Sequence, residues 1–167
     1  MPLIVRLALP KDLDRIDQIY NQAIAANFQT ADTRPLNKLS RLGWFKNHPS
    51  SSYPISVILH DEKVIGWSSL SKYREGREAL QRTAEISYYL DHDHLGKGYG
   101  SVLIEATVDK ARSLFFENLV AILLDSNKPS IGILEKYGFA EWGRIPKAAL
   151  IKNQLVDHLY YGLRLVP

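Results

Sequence analysis

The sequence of 167 residues contains no cysteine. Disulfide bonds, thiolate metal ligands and a cysteine nucleophile are therefore excluded. No segment approaches the length of a membrane-spanning helix, and the first residues, MPLIVRLALPKD, are interrupted too early by charge to form a signal peptide. Dense basic runs are also lacking, because the 21 basic and 18 acidic residues are interspersed. We expect a cytoplasmic protein that binds neither membranes nor nucleic acid.

The composition is that of a globular domain. Hydrophobic residues make up 46% of the chain and aromatic residues 10%, which argues against disorder. A chain of this length can bury a sizeable core, and it shows no repeat, linker or low-complexity segment. We expect a single domain over residues 1–167. The net charge of +3 suits an anionic small ligand.

The hydrophobic pattern predicts a mixed sheet with helices on its faces. In chain order we expect a strand, two helices, three strands, a helix, a strand, a helix and two strands. The predicted strands cover residues 3–8, 55–60, 64–70, 83–90, 119–124, 139–145 and 157–165. The predicted helices cover residues 11–26, about 35–47, about 101–113 and about 129–137. A long connection over residues 146–156 is expected between the last two strands.

The most informative stretch joins a strand to a helix through three glycines. Residues 83–90 are rich in β-branched and aromatic side chains, and Gly96, Gly98 and Gly100 precede a helical pattern. Glycines let the backbone approach a ligand, and amides of the turn and of the helix start can bind one anion. The spacing fits neither a Walker A loop nor a dinucleotide G-x-G-x-x-G motif. A phosphate site is predicted here, with a plain tight turn as the alternative.

The residues Asp91-His92-Asp93-His94 follow the same strand and raise the question of a metal site. The sequence offers no further clustered ligands, and a polar loop at a strand end explains these residues equally well. We expect no metal.

The glycine stretch resembles the acetyl-coenzyme A loop of the GNAT N-acetyltransferase superfamily, with the pattern R/Q-x-x-G-x-G/A. The residues that carry this resemblance, including the N-x-x-A/S and G-F signatures of the next unit, are Leu95-Gly96-Lys97-Gly98-Tyr99-Gly100, Asn127-Lys128-Pro129-Ser130 and Tyr137-Gly138-Phe139. Within the superfamily, the chain is similar to the phosphinothricin/methionine-sulfoximine acetyltransferase branch. The matches to that branch are Ile19-Tyr20-Asn21, Trp44-Phe45, Ser69-Leu70-Ser71 and Thr83-Ala84-Glu85 with Ser87. The resemblance covers nearly the whole chain.

The resemblance implies an α/β fold with about seven strands in a mixed sheet, flanked by about four helices and splayed between the fourth and fifth strands. Acetyl-coenzyme A would lie in that opening. The fourth strand would pair with its pantetheine arm, the glycine loop would hold its pyrophosphate, and the next βα unit would contact the arm from the other side. The residues implied are Tyr88, Tyr89 and Leu90; Gly96, Lys97, Gly98, Tyr99, Gly100 and Ser101; and Asn127 and Ser130. Taken alone, Asn127 would more simply be a turn residue before Pro129.

The resemblance also implies that a primary amine attacks the thioester directly. Glu85 stands at the position of the general base, which removes a proton from the acceptor ammonium. Strand alternation places Glu85 on the face opposite Ala84 and Ile86, and a solvent-facing or ion-paired glutamate is the alternative. The developing oxyanion would be met by the amide of Tyr88 or Tyr89.

Candidate residues for the acceptor amine lie in two loops. Arg74 and Arg77, together with Arg82, precede Glu85 and could clamp the carboxylate of an amino-acid-like acceptor. A solvated charged loop is the alternative. Phe28 is expected either to form an apolar wall of the acceptor pocket or to pack in the core.

Two positions depart from the family pattern. Leu95 replaces an arginine or glutamine that acts largely through its backbone. Leu134 stands where relatives have a tyrosine or histidine as general acid, and leucine cannot donate a proton. Tyr137, another tyrosine or water would protonate the leaving thiolate, or no acid is needed.

The resulting prediction is an acetyl-coenzyme A-dependent N-acetyltransferase. Its acceptor would be a small primary amine, an amino acid or analogue of the phosphinothricin or methionine sulfoximine type. A non-catalytic coenzyme A-binding module and a protein or peptide N-acetyltransferase are the alternatives. Since the branch commonly forms homodimers, a homodimer is possible.

Overall fold

The computed structural model describes residues 2–36 and 38–166, without the side chains of residues 38–40. Within these residues, seven strands form one sheet flanked by four α-helices, which confirms the predicted fold. The strands are β1 (Ile4–Leu7), β2 (Ile55–His60), β3 (Lys63–Lys72), β4 (Thr83–Leu90), β5 (Asn118–Leu124), β6 (Ala140–Ile151) and β7 (Gln154–Arg164). The helices are α1 (Leu13–Ala26), α2 (Lys38–Lys46), α3 (Tyr99–Ser113) and α4 (Lys128–Lys136). Residue 37 of the second predicted helix lies outside the described residues, as do residues 1 and 167.

The sheet has the strand order β1-β2-β3-β4-β5-β7-β6. Its neighbouring strands are antiparallel except β4 and β5, which are parallel. The parallel pairing joins residues 83–85 to residues 118–120 and stops there. From that point β5 is bonded only to β7 on its other side. The two central strands therefore open into a V toward their carboxyl ends.

Each face of β4 meets a different helix layer, because side chains alternate along a strand. Ala84 and Ile86 are buried in a core cluster with Ile104 and Val108 of α3 and Leu134 of α4. The opposite face points toward α1, whose buried residues recur at helical spacing. They are Leu13, Ile16, Ile19, Tyr20, Ala23 and Ile24. The residues of β4 are thereby divided between two separate environments.

The last two strands form a longer hairpin than the sequence predicts. The expected connection over residues 146–156 is wrong, since β6 and β7 pair as far as Ile151 and Gln154. Lys152 and Asn153 both have positive φ, the backbone that a two-residue hairpin turn requires. Pro146 is tolerated because the register shifts between Ile145 and Ala149. A proline and several polar residues indicated a loop, and the bulge is what keeps them in a strand.

The helices in the described part of the chain include none that is both long and apolar enough to cross a membrane.

Candidate active site

A cavity of about 250 Å³ lies where β4 and β5 separate. β4 contributes Glu85, Ser87 and Tyr89, which alternate onto one face of the strand. β5 and β7 contribute Ile122, Leu123, Leu124 and His158. Tyr20 of α1 and residues 29–32 of the following loop complete the lining. The opening of the sheet thus becomes a cavity that is open to solvent, with α1 and its loop covering one side of it.

Glu85 is the carboxylate that β4 supplies to this cavity. It is the last residue of β4 paired to β5, facing Val120 across the parallel ladder. It is half-buried, and burial raises the pKa of its carboxyl group. A carboxylate with a raised pKa and access to a cavity is suited to accept a proton near neutral pH. Glu85 is therefore not the fully solvent-facing glutamate that the sequence allowed as an alternative.

A second carboxylate, that of Asp32, stands at the exposed edge of the same cavity. The Tyr20 hydroxyl donates a short hydrogen bond to it and lies 3.0 Å from Thr30 Oγ1. The rings of Tyr20 and Tyr89 meet edge to face at 4.9 Å. Burial raises the pKa of both hydroxyl groups, so both stay protonated at neutral pH. This part of the cavity is therefore acidic at its edge and aromatic in its wall.

The glycine loop has the backbone that its sequence predicts. Gly96 and Gly98 have φ values of +72° and +80°, and Gly98 immediately precedes α3. Gly100 has a different role, because a Cβ there would lie 3.0 Å from Ile133 Cδ1 and 3.4 Å from Leu90 Cδ1. No acceptor among the described residues takes a hydrogen bond from the amides of residues 96–98. Those amides, beside the start of a 15-residue helix, are available to an anion.

The other predicted cofactor residues surround this loop or face it across the V. Lys97 Nζ donates to the Asp93 carbonyl at 2.8 Å, and Ser101 Oγ lies 3.4 Å from Lys136 Nζ. Asn127 caps α4, accepting a 3.4 Å hydrogen bond from the Ser130 amide. The structure therefore gives Asn127 a local structural role, that of helix cap, at the position where the sequence suggested a turn residue before Pro129.

The side chain of Tyr88 lies on the face of β4 opposite to that of Glu85. Its side chain packs against the α3 and α4 core cluster, and its hydroxyl lies 2.8 Å from Ser130 Oγ. Burial raises the pKa of this hydroxyl well above its ordinary range. Tyr88 was predicted for its backbone alone, and the structure adds a partly buried side chain whose hydroxyl meets α4.

The residues predicted for acceptor binding lie outside the cavity lining. Phe28 packs with Leu124, Ile151 and Val156, in accordance with the core alternative. Arg74 and Arg77 are exposed on the loop between β3 and β4. Arg82 forms a short ion pair with Glu117. The structure does not bring these side chains together with Glu85.

The two departures from the family pattern lie in different environments, and the histidine-rich turn has a structural role. Leu95 is 47% exposed, whereas Leu134 is fully buried in the core. Asp91 accepts a hydrogen bond from the Asp93 amide at 2.9 Å and pairs with Arg15 of α1. The turn thereby joins the end of β4 to α1. No group of three or more potential metal ligands occurs among the residues that the structure describes.

Sequence reasoning missed Asp32, Thr30, His158 and the side chains of Tyr20 and Ser87 as lining residues. Strand alternation from Glu85 could have identified Ser87, because both side chains share a face. Asp32 and Thr30 carried no signal, since their loop looks like any polar turn until it folds over the sheet.

Comparison with known proteins bears on the whole chain. Residues 3–140 match the acetyltransferase (GNAT) domain. A Bacillus subtilis (strain 168) protein, provisionally named a phosphinothricin acetyltransferase, is 38% identical over 98% of this chain and 99% of its own length. The L-methionine sulfoximine/L-methionine sulfone acetyltransferase of Pseudomonas aeruginosa is 30% identical over 100% of this chain and 97% of its own.

A solved structure agrees with these relatives. The phosphinothricin acetyltransferase from Sinorhizobium meliloti, in complex with acetyl-coenzyme A, superposes with a TM-score of 0.92 at 25% identity, covering 98% of this chain and 89% of that one. The resemblance drawn from the glycine loop and its neighbouring motifs is thereby confirmed. The chain belongs to the acetyltransferase (GNAT) family of acyl-transferring enzymes.

Proposed function

We propose that this protein transfers the acetyl group of acetyl-coenzyme A to the primary amine of a small amino acid or amino-acid analogue. The observation that carries the proposal is the shared strand: β4 places Glu85 in a cavity at the opening of the sheet and leads into the glycine loop at its far end. A cofactor whose pyrophosphate lies on the loop and whose arm follows β4 would bring its thioester toward Glu85. The acetyl-coenzyme A complex of the Sinorhizobium meliloti relative supports this choice of co-substrate.

Glu85 acts as the general base in this proposal. The acceptor arrives mostly as an ammonium ion, which cannot attack a thioester until it loses a proton. The burial that raises the pKa of Glu85 makes this carboxylate a better proton acceptor than an exposed glutamate. The free amine then attacks the carbonyl carbon, and the backbone amide of Tyr88 or Tyr89 meets the oxyanion.

The acceptor class follows from the relatives and the cavity. The two relatives quoted are named for phosphinothricin and for methionine sulfoximine or sulfone. A cavity of about 250 Å³ suits a small acceptor rather than a large one. Asp32 at its edge favours an ammonium group. Arg74 and Arg77 remain the proposed partners of the acceptor carboxylate.

The experiment is a thiol-release assay with acetyl-coenzyme A across a panel of amines. The panel contains methionine sulfoximine, methionine sulfone, phosphinothricin, the common amino acids, and short peptides with free N-termini or lysines. We expect turnover with the amino-acid analogues and none with the peptides. Turnover with peptides alone would contradict the proposal in favour of a protein or peptide acetyltransferase.

Calorimetry with acetyl-coenzyme A separates the enzyme from a non-catalytic binding module. Tight binding without turnover on any amine would favour the module. Absence of binding would contradict both functions.

We further propose a homodimer formed through the β6 edge of the sheet. β6 is one of the two edge strands, it is exposed along nearly its whole length, and Ile145, Leu150 and Leu155 of the hairpin are each about half exposed or more. A long exposed edge strand that carries apolar side chains can pair with a second copy of the chain. Light scattering should give the mass of a dimer for the wild type and of a monomer for Leu150→Lys. A monomeric wild type would contradict the dimer.

A further inference from the structure

The proposed reaction also needs a proton at the leaving sulfur, and Leu134 cannot supply it. Leu134 is fully buried among apolar side chains of the core. A thiolate released into an apolar gap is poorly solvated, and burial of this kind raises the pKa of a thiol. A proton donor at the gap would therefore assist departure of the thiol.

Tyr88 brings a hydroxyl to the V from the strand instead of the helix. Its contact with Ser130 is the one side-chain hydrogen bond among the described residues that joins β4 to α4. Ser130 and Leu134 are four residues apart, so they lie on one face of α4 a single turn from each other. The Tyr88 hydroxyl is thus adjacent to the face of α4 that carries Leu134, a residue that cannot donate a proton.

Side-chain alternation along β4 places the proposed proton acceptor, Glu85, and the Tyr88 hydroxyl on opposite sides of the sheet. Glu85 and Tyr88 are three residues apart on a strand, so their side chains point to opposite faces. Glu85 lines the cavity proposed for the amine, and Tyr88 packs toward α3 and α4. An arm lying in the V would present its carbonyl carbon to the Glu85 side and its sulfur to the Tyr88 side.

Other tyrosine hydroxyls near the site are directed elsewhere. The Tyr161 hydroxyl donates to Glu135, and that of Tyr20 donates to Asp32. The ring of Tyr137 lies beneath the Lys136 ammonium, at the carboxyl end of α4. Tyr88 is the tyrosine whose hydroxyl lies between the separated elements.

We propose that the Tyr88 hydroxyl, positioned by Ser130, donates the proton to the coenzyme A sulfur as the C–S bond breaks. The amine nitrogen forms its bond to the carbonyl carbon, and the electron pair of the C–S bond passes to sulfur. The acceptor ammonium loses two protons in all: one leaves to solvent through Glu85, and the other balances the proton given to sulfur, which Tyr88 regains from water. The inference rests on the proposed acetyltransferase function.

The test compares wild type with Tyr88→Phe, which keeps the ring and removes the hydroxyl. The rate of thiol release is measured in a single turnover with a reactive amine from the panel, and the acetyl-coenzyme A Kd is measured by calorimetry. We expect the single-turnover rate to fall about 10²-fold, with the Kd changed by less than about 2-fold. The solvent deuterium isotope effect on that rate should also decrease in Tyr88→Phe, a change that a packing role would not produce. Ser130→Ala should cause a smaller fall, because it removes only the partner that holds the hydroxyl.

Tyr161→Phe is the matched control, since Tyr161 belongs to the core cluster against which Tyr88 packs and its hydroxyl also contacts α4. It should retain the wild-type rate. A wild-type rate in Tyr88→Phe, or a loss explained entirely by weaker cofactor binding, would overturn the inference while leaving the acetyltransferase function intact. An equal loss in Tyr137→Phe with none in Tyr88→Phe would overturn it in favour of the helix residue. If the wild type turned over no amine, the proposed function would fail, and this inference with it.

Discussion

Replacing Glu85 with glutamine is the sharpest perturbation of the proposed mechanism. Glutamine has nearly the same shape, so the cavity and the β4 pairing with β3 and β5 should persist. It cannot accept a proton, and positioned general bases typically contribute 10²- to 10⁴-fold to a rate. We expect kcat to fall by that factor, equivalent to about 3–5 kcal/mol of transition-state stabilisation. The acetyl-coenzyme A Kd should be unchanged, because the cofactor is proposed to contact backbone groups and the glycine loop.

The pH dependence provides an independent readout of the same residue. Burial raises the pKa of Glu85, so the wild-type kcat/KM should rise with pH through that raised pKa as the base loses its proton. In Glu85→Gln this acidic limb should disappear. Any limb that remains at higher pH belongs to the acceptor ammonium, and it should move when an amine of different pKa is used.

The contribution of Glu85 to the stability of the fold should decrease with rising pH, whereas kcat/KM should increase. A group whose pKa is higher folded than unfolded stabilises the fold below its unfolded pKa, about 4.3 for glutamate, and this contribution is lost as pH rises through the folded pKa. Thermal unfolding should therefore show the stability of Glu85→Gln rising relative to the wild type as the pH increases from about 4 through the raised pKa of Glu85. Glu105→Gln, on the exposed face of α3, is the control and should alter neither property. A Glu85→Gln variant with wild-type kcat, or with an intact acidic limb, would refute the assignment of Glu85 as base.

Three further substitutions test the surroundings of the site. Asp32→Asn should raise the KM of the amine by up to about 5-fold with little effect on kcat, since an exposed charge contributes at most about 1 kcal/mol; steady-state kinetics would show it. Gly98→Ala has room for its Cβ but forces alanine to φ +80°, so calorimetry should show weaker acetyl-coenzyme A binding. The control Gly43→Ala, in an exposed helix, should instead raise stability by about 1 kcal/mol. Gly162→Ala places its Cβ within 2.3 Å of the Trp142 ring and should cost about 1–3 kcal/mol in denaturant unfolding, with a shift in tryptophan fluorescence.

The parts of the site that lie on one continuous segment could be predicted from the sequence. Alternation along β4 sets the face of Glu85, and three glycines before a helix set the backbone of the loop. Both depend on local rules of side-chain direction and φ, which need no knowledge of the tertiary structure. For the same reason, the order of strands and helices was predictable from hydrophobic period alone.

The parts made by distant segments could not be predicted in this way. Asp32 reaches the cavity because the loop after α1 folds over the opening, and its Tyr20 partner lies 12 residues earlier. Phe28 turned away from the cavity because the β6–β7 hairpin is long enough to pack against it, and the bulge at Pro146 that permits this length has no clear sequence signal. Charge alone selected Arg74 and Arg77, and charge does not fix where an exposed side chain points.

Glu85 and Tyr88 are three residues apart on β4, and this odd spacing determines which side of the sheet each side chain faces. An even spacing would place base and hydroxyl on one face, where both would compete for the amine side of the opening. The odd spacing places each residue on a different side of the sheet. Glu85 lies on the α1 side, with a raised carboxyl pKa and the acidic edge of the cavity, and Tyr88 lies on the α3 and α4 side, with a partly buried phenol bonded to Ser130. The sheet must be open at this point for one bound thioester to reach both faces, and the pairing of β4 with β5 does end at Glu85. In the proposed mechanism the V would therefore serve two purposes, since it would admit the cofactor and would let proton removal and proton delivery occur on opposite sides of a single strand.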